Sequence, residues 1–175
     1  LKNLIAPSRI FSGEYRDLRA ITRTRENYVK MRSQIKNRIH QELESACIKL
    51  SSVLSDIFGK SGIHIIRGIL SGSNIEDILN RIPSKKIKAK REEIRNAIQV
   101  NISPVQVDLI GRLLDSIDFL SKEIASIDMQ IQTLTAGRQE DLKIAMSIPG
   151  MGITSATTIL AEIGKVFFML QVVEK

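Results

Sequence analysis

Eight aliphatic side chains, Ile110, Leu113, Ile117, Leu120, Ile124, Ile127, Ile131 and Leu134, follow one another at separations of 3, 4, 3, 4, 3, 4 and 3 residues. That alternation is the repeat of a coiled-coil seam and fits it better than the broader apolar face of a generic buried helix. A helix carrying such a stripe needs another helix to cover it. Two partners are open: the long N-terminal helix described next, folded back antiparallel, or a second copy of the chain. The flanking Ser116, Ser121, Asp128 and Gln130 carry too little charge to select between them.

The helix opens with its own start signal, Ser103 as the cap and Pro104 at the first helical position. Upstream, Glu14 to about Leu50 contains neither Gly nor Pro and sets Tyr28, Met31, Ile35, Ile39, Leu43, Ala46 and Leu50 at steps of three and four. A helix from Glu14 to Cys47 would be about 50 Å long. Gly59 and Gly62 interrupt the pattern, and Ser61 is the expected cap of a short apolar helix from Ile63 to Leu70 that ends at Gly72. Asn74 is placed to cap a helix from Ile75 to Arg81, with Pro83 as its stop, and Ser84 to Gln99 reads as a basic amphipathic segment. No stretch alternates apolar and polar residues over a strand's length, apart from the short run Val166 to Val173. The expected fold is all-α, with long helices in a coiled coil or antiparallel arm followed by a helix-hairpin-helix segment.

The 175 residues hold 26 Lys plus Arg against 19 Asp plus Glu, a net charge of +7 that favours an anionic partner. The excess is local. Between Arg16 and Arg38 eight basic residues face two acidic ones, and Arg16, Arg19 and Arg23 share one helix face. Together with Arg25, Arg32, Lys36 and Arg38 they are the candidate contacts to nucleic-acid phosphates, since each neutralised phosphate releases counterions and Arg can grip two oxygens at once. A solvated helix surface is the plainer reading of the same charges, and it is preferred for the second cluster, Lys85 to Arg95. Aromatics at 4% speak against recognition by stacked bases. With 43% hydrophobic residues, no membrane-length apolar run and no signal-peptide pattern, a soluble, cytoplasmic protein is expected, in keeping with the single Cys47.

The second candidate site is Ser147-Ile148-Pro149-Gly150-Met151-Gly152-Ile153-Thr154-Ser155-Ala156. It resembles the helix-hairpin-helix motif. Pro149 ends the first helix, Gly150 and Gly152 allow positive φ and close backbone approach, and the small Ala156 lets two helices pack tightly. Amides at the start of the second helix, around Gly150, Gly152 and Thr154, would then hold one phosphate; a tight turn between packed helices is the alternative. No catalytic constellation is visible. Asp115 and Asp118 fall on the outer face of the seam helix, His40 and His64 lack ligand-spaced neighbours, and no Gly-rich Lys-Ser/Thr loop or Gly-flanked Ser elbow is present.

The order of segments resembles the middle and early C-terminal part of the DEDD transposases of insertion sequences. The matching residues are Ala6-Pro7-Ser8, Tyr15-Arg16-Asp17-Leu18-Arg19, Thr22-Arg23-Thr24-Arg25, Ile35-Lys36-Asn37-Arg38-Ile39-His40, Phe58-Gly59-Lys60-Ser61-Gly62, Ile117-Asp118-Phe119-Leu120, the Ser147 to Gly152 turn and Ala161-Glu162-Ile163-Gly164. The resemblance implies residues 1–13 as the tail of a Holliday-junction-resolvase-like catalytic domain, 14–138 as a helical coiled-coil region and 139–175 as the start of the C-terminal transposase domain. It further implies DNA recombination, homo-oligomeric assembly through the 110–134 helix and, in many members, a guide RNA. The family's divalent metal is held by four acidic residues expected upstream of Leu1, and its nucleophilic Ser is expected downstream of Lys175. No catalytic residue or cofactor is therefore expected in this chain, which the non-Met start suggests is a piece of something longer. The tail Lys165 to Val173 departs from the family's polar turn and further helices. A non-enzymatic helical DNA-binding protein with the same hairpin, or a coiled-coil scaffold, are the alternative readings.

Overall fold

The computed structural model describes residues 13–98 and 102–164. The protein is all-α: helices α1 (Gly13–Ser45), α2 (Lys60–Leu70), α3 (Ile75–Asn80), α4 (Lys85–Lys88), α5 (Arg91–Ala97), α6 (Pro104–Leu134), α7 (Gln139–Met146) and α8 (Ile153–Ile163), with 3₁₀ turns at Leu50–Ser52 and Ala136–Arg138. Among the described residues the sole extended pairing is an antiparallel bridge between Ile48 and Ile98. None of these helices is long and apolar enough to cross a membrane. The run Val166 to Val173 lies outside the described residues.

Two compact units divide the chain, one of residues 31–121 and one joining residues up to 30 with those from 122 onward. Both long helices contribute to each unit. In the 31–121 unit, α1 and α6 run antiparallel, with Arg32 donating to Ser121 Oγ at 3.2 Å and Gln106 Nε2 donating to Ser45 Oγ at 2.9 Å. Ile39, Leu43, Ile110, Leu114 and Ile117 fill the core between them together with Ile65 and Ile66 of α2. Helix α3 lies so close to α2 that a Cβ on Gly68 would stand 2.6 Å from Ile78 Cγ1. Glu76 of α3 ties down α5 by accepting from Arg91 at 3.0 Å and from Arg95.

In the other unit, Leu18 and Tyr15 of α1 pack with Ile127 and Ile131 of α6 and with Leu142, Ala145, Ala156, Leu160 and Ala161 of α7 and α8. The antiparallel sense is again fixed by side chains, Arg25 reaching Asp128 and Glu14 reaching Arg138. Arg138 also donates to the Tyr15 hydroxyl and lies 4.2 Å over its ring centre. The seam of α6 is thus covered inside each unit by α1 of the same chain, which is the first of the two partners open to it. Its details shift: Leu114, 2% exposed, takes the core position beside Leu113, and Leu134 ends the stripe 43% exposed. A straight helix of 3.6 residues per turn drifts against a 3.5-residue repeat, so the buried line slides by one position. Met31 is likewise 46% exposed, although it falls on the apolar spacing of α1.

Local chemistry explains most boundaries. The start of α6 is a reciprocal capping box, Ser103 Oγ accepting from the Gln106 amide at 3.2 Å and Gln106 Oε1 accepting from the Ser103 amide at 3.1 Å. Asn74 caps α3 by accepting from the Glu76 amide at 2.8 Å. Helix α1 ends in a Schellman turn, with Ile48 N bonded to Leu43 O at 2.8 Å and Cys47 N to Glu44 O at 3.0 Å. Cys47 occupies the left-handed position of that turn at φ 59°, where glycine is usual. One expectation about these boundaries needs correction. Gly59, not Ser61, is the N-cap of α2, and Ser61 lies inside the first turn, buried. The basic segment from Ser84 is two short helices broken at Ala89–Lys90, because each buries a different anchor: Ile87 leans on the core and Ile94 enters it fully.

Candidate nucleic-acid interface

Helices α7 and α8 form the hairpin. Leu142 and Ala145 from α7 and Ala156, Leu160 and Ala161 from α8 are all at most 4% exposed, and the methyl at 156 is completely covered. The turn between them is built by Ile148 O accepting from Met151 N at 3.1 Å. Pro149 and Gly150 are its central residues and Gly150 has φ +82°, the arrangement of a type II turn. Gly152 differs from the expectation. Its φ is −83° with extended ψ, so any residue could adopt it, and a Cβ there would meet nothing within 4 Å. The fold does not require a glycine at 152; what the glycine does is leave the start of α8 uncovered.

That start is open. No side chain caps α8, its first turn carries no acidic residue, and Ile153, Thr154 and Ser155 are exposed. Among the described residues no acceptor takes their amides; the first amide to be paired is that of Ala156, bonded to Gly152 O at 3.0 Å. Three amides directed outward from a helix N-terminus, reinforced by the helix dipole, are an anion-binding arrangement. Adjoining hollows of about 180 and 370 Å³ border this end of α8, sharing Thr22, Arg25, Thr154 and Thr158 in their walls.

The basic residues of α1 are far from uniformly available. Glu162 of α8 accepts two bonds from Arg23, at 2.8 and 3.1 Å, and pairs with Arg19 Nε at 3.0 Å, while Arg19 also donates to Glu162 O at 3.0 Å. Arg25 pairs with Asp128 through two bonds. In the 31–121 unit Arg32 bonds Ser121, Arg38 pairs with Glu42 at 3.0 Å, and Lys36 stands 4.9 Å over the Phe58 ring. Arg16 alone of the seven is exposed with no ion pair among the described residues. Arg16, Arg19, Arg23 and Arg25 belong to the unit that holds the hairpin; Arg32, Lys36 and Arg38 belong to the other.

Glu162 was invisible as a functional position in its local sequence, because the partners that give it a role lie 139 and 143 residues earlier in the chain. Hydrogen bonds from Arg23 are the main reason its carboxyl is held below the ordinary glutamate range, with the charges of Arg23 and Arg19 adding to them and partial burial opposing. A lowered carboxyl pKa contributes stability above the unfolded-state value, lost as pH falls through the folded value. Stability of Glu162→Gln relative to the parent is therefore expected to be lower by a constant amount above about pH 5.5 and to converge on it as pH drops below about 4.5. The Glu162 and Arg23 side chains are 37% and 63% exposed, so solvent screens the pair and the gap should be at most about 1 kcal/mol. Urea melts at pH 7 and pH 3.5 measure it; equal gaps at both pH values would contradict the assignment.

The acidic and imidazole side chains do not converge. Asp118 pairs with Arg67 at 2.7 Å, Asp115 is exposed, His64 bonds Ile78 O at 3.0 Å, and His40 stacks edge-on to Phe58 at 5.2 Å. Among the described residues no group of three or more His, Cys, Asp or Glu is arranged to hold a metal ion. No family model, no curated protein and no solved structure matches this chain.

Proposed function

We propose that this chain is the helical middle and early C-terminal part of a DEDD-type transposase, contributing nucleic-acid binding and assembly in DNA recombination without carrying the residues that cut. The observation that supports phosphate binding most directly is the uncovered start of α8, with Gly152 leaving room that the fold itself does not use. Arg25, Glu26 and the hydroxyls of Thr154 and Ser155 line the adjoining hollow, so the surroundings are polar, with Arg25 itself paired to Asp128. Arg16 and, once Glu162 is displaced, Arg19 and Arg23 are the further basic contacts in the same unit. Because α1 covers the seam of α6 within each unit, a second copy of the chain would have to meet α6 outside that seam; Phe119 in the 31–121 unit is 59% exposed and, in the other unit, Met129 is 62% exposed.

Thr154→Glu separates binding from folding. A carboxylate in the first turn of α8 complements the dipole and leaves the helix as stable as before or more so, yet it occupies and repels at the phosphate position. Titration of labelled duplex and of structured RNA at two salt concentrations should show affinity falling about tenfold and the salt slope shrinking by about 1. Unchanged affinity with an unchanged slope would remove the hairpin from the interface. A strand-cleavage assay with divalent metal on the same polypeptide is expected to give no product.

A further inference from the structure

We propose that Glu162 is a built-in competitor for phosphate: its carboxylate occupies the arginines of α1, and a nucleic-acid strand binds there by taking its place on Arg23. The inference rests on the nucleic-acid reading above and adds to it the regulation of the same basic face. Every residue it uses belongs to the unit that joins residues up to 30 with those from 122 onward.

Arg19 and Arg23 are one turn apart on α1 and close on a single carboxylate. Glu162 Oε1 accepts from Arg23 Nε at 2.8 Å, and Oε2 accepts from Arg23 Nη2 at 3.1 Å and stands 3.0 Å from Arg19 Nε. Guanidinium grips carboxylate and phosphate with the same fork of donors, so the carboxylate fills the place a strand phosphate would take.

Three observations make the contact exchangeable. The Glu162 and Arg23 side chains are 37% and 63% exposed, so the pair is screened by solvent and can open without disturbing the core. Glu162 is also the penultimate residue of α8, at the negative end of the helix dipole, where a carboxylate is disfavoured and the arginines offset that cost. The two arginines, finally, are not equivalent. Arg19 donates in addition to Glu162 O at 3.0 Å and its side chain is 21% exposed, so it stays on α8 when the carboxylate leaves, and Arg23 is the one that changes partner. Leu18, Leu160 and Ala161 share the core beneath and hold α8 to α1 without the ion pair. Arg16, one turn before Arg19 and exposed, gives the incoming strand its first contact.

The full chain is titrated with a labelled duplex at one low salt concentration. Glu162→Gln is expected to bind about fivefold more tightly than the parent, because the strand no longer has to displace a carboxylate. Asp17→Asn removes the same charge from an exposed position of α1 that has no ion pair among the described residues, and should gain less than about twofold. In an Arg23→Ala background the gain from Glu162→Gln should shrink to the level of that control, since the residue it releases is gone. In the parent, the nitrogen-15 signal of Arg23 Nε should shift as the duplex saturates. Where the parent binds in a salt-sensitive way, a gain no larger than that of Asp17→Asn, or one that persists in full without Arg23, overturns the inference and leaves the nucleic-acid reading standing. Absence of binding by both the parent and Glu162→Gln overturns the two together.

Discussion

Gly62→Ala is expected to destabilise the 31–121 unit by about 3 kcal/mol, the upper end of what an added methyl in a packed interior costs. A Cβ at this position would lie 2.2 Å from Ile57 O, 2.5 Å from Ile57 C and 2.6 Å from Ile57 Cα. All three atoms are backbone, so no rotamer change relieves the overlap, and either the first turn of α2 or the loop carrying Ile57 must move. Ile57 is itself 3% exposed and packs in the same core as Ile65 and Ile66. Such a loss is a large share of the 5–15 kcal/mol that typically separates folded from unfolded domains. Urea denaturation gives the size, and hydrogen exchange of the α2 amides gives the place. A midpoint within experimental error of the parent would show that the close approach is not a feature of the folded protein in solution.

Leu142→Ala should cost about as much, near 3 kcal/mol, through the opposite mechanism of a cavity. Leu142 is 1% exposed and is the main side chain of the eight-residue α7 in the core that also holds Ile127, Ile131 and Leu160. With so short a helix, burial of this one face is what keeps it formed, because an isolated helix of that length is marginal in water. The variant should therefore loosen the Pro149 to Thr154 turn as well, and nucleic-acid affinity should fall along with stability. Thr154→Glu is predicted to lower affinity at full stability, so the pair of variants distinguishes loss of the turn's shape from loss of its anion site. Leu142→Ala with lowered stability but parental affinity would place the contact elsewhere.

Much of the helical plan was legible from local chemistry. The Ser103-Pro104 start, the Asn74 cap and the absence of Gly and Pro through α1 each act within a few residues, and the structure shows helices at all three. The hairpin was legible for the same reason, since Pro149, Gly150 and Ala156 work across one short turn. The N-cap of α2 was not, because Ser61 is a good cap by type yet lies buried inside the first turn, next to Gly62 where α2 closes on the Ile57 backbone, leaving Gly59 at the boundary. Gly152 was read as needing positive φ, and only the backbone shows that it does not.

The sequence by itself determined that this protein is all-α, that α6 carries one apolar stripe needing a helical cover, and that its positive charge is concentrated in α1. Those properties are periodic or compositional and depend on neighbours three or four positions away. Tertiary structure alone decided what covers the stripe and what becomes of the charge. Glu162 and Asp128 meet Arg19, Arg23 and Arg25 across more than 100 residues of chain, and no local pattern encodes such a meeting. The physical reason is that an ion pair depends on where two helices pack, which is fixed by the burial of Leu18, Ile127 and Leu160 and not by the charged residues themselves. The basic helix is consequently less a row of free cations than a set of arginines mostly held by the protein's own carboxylates, with the start of α8 left open beside them.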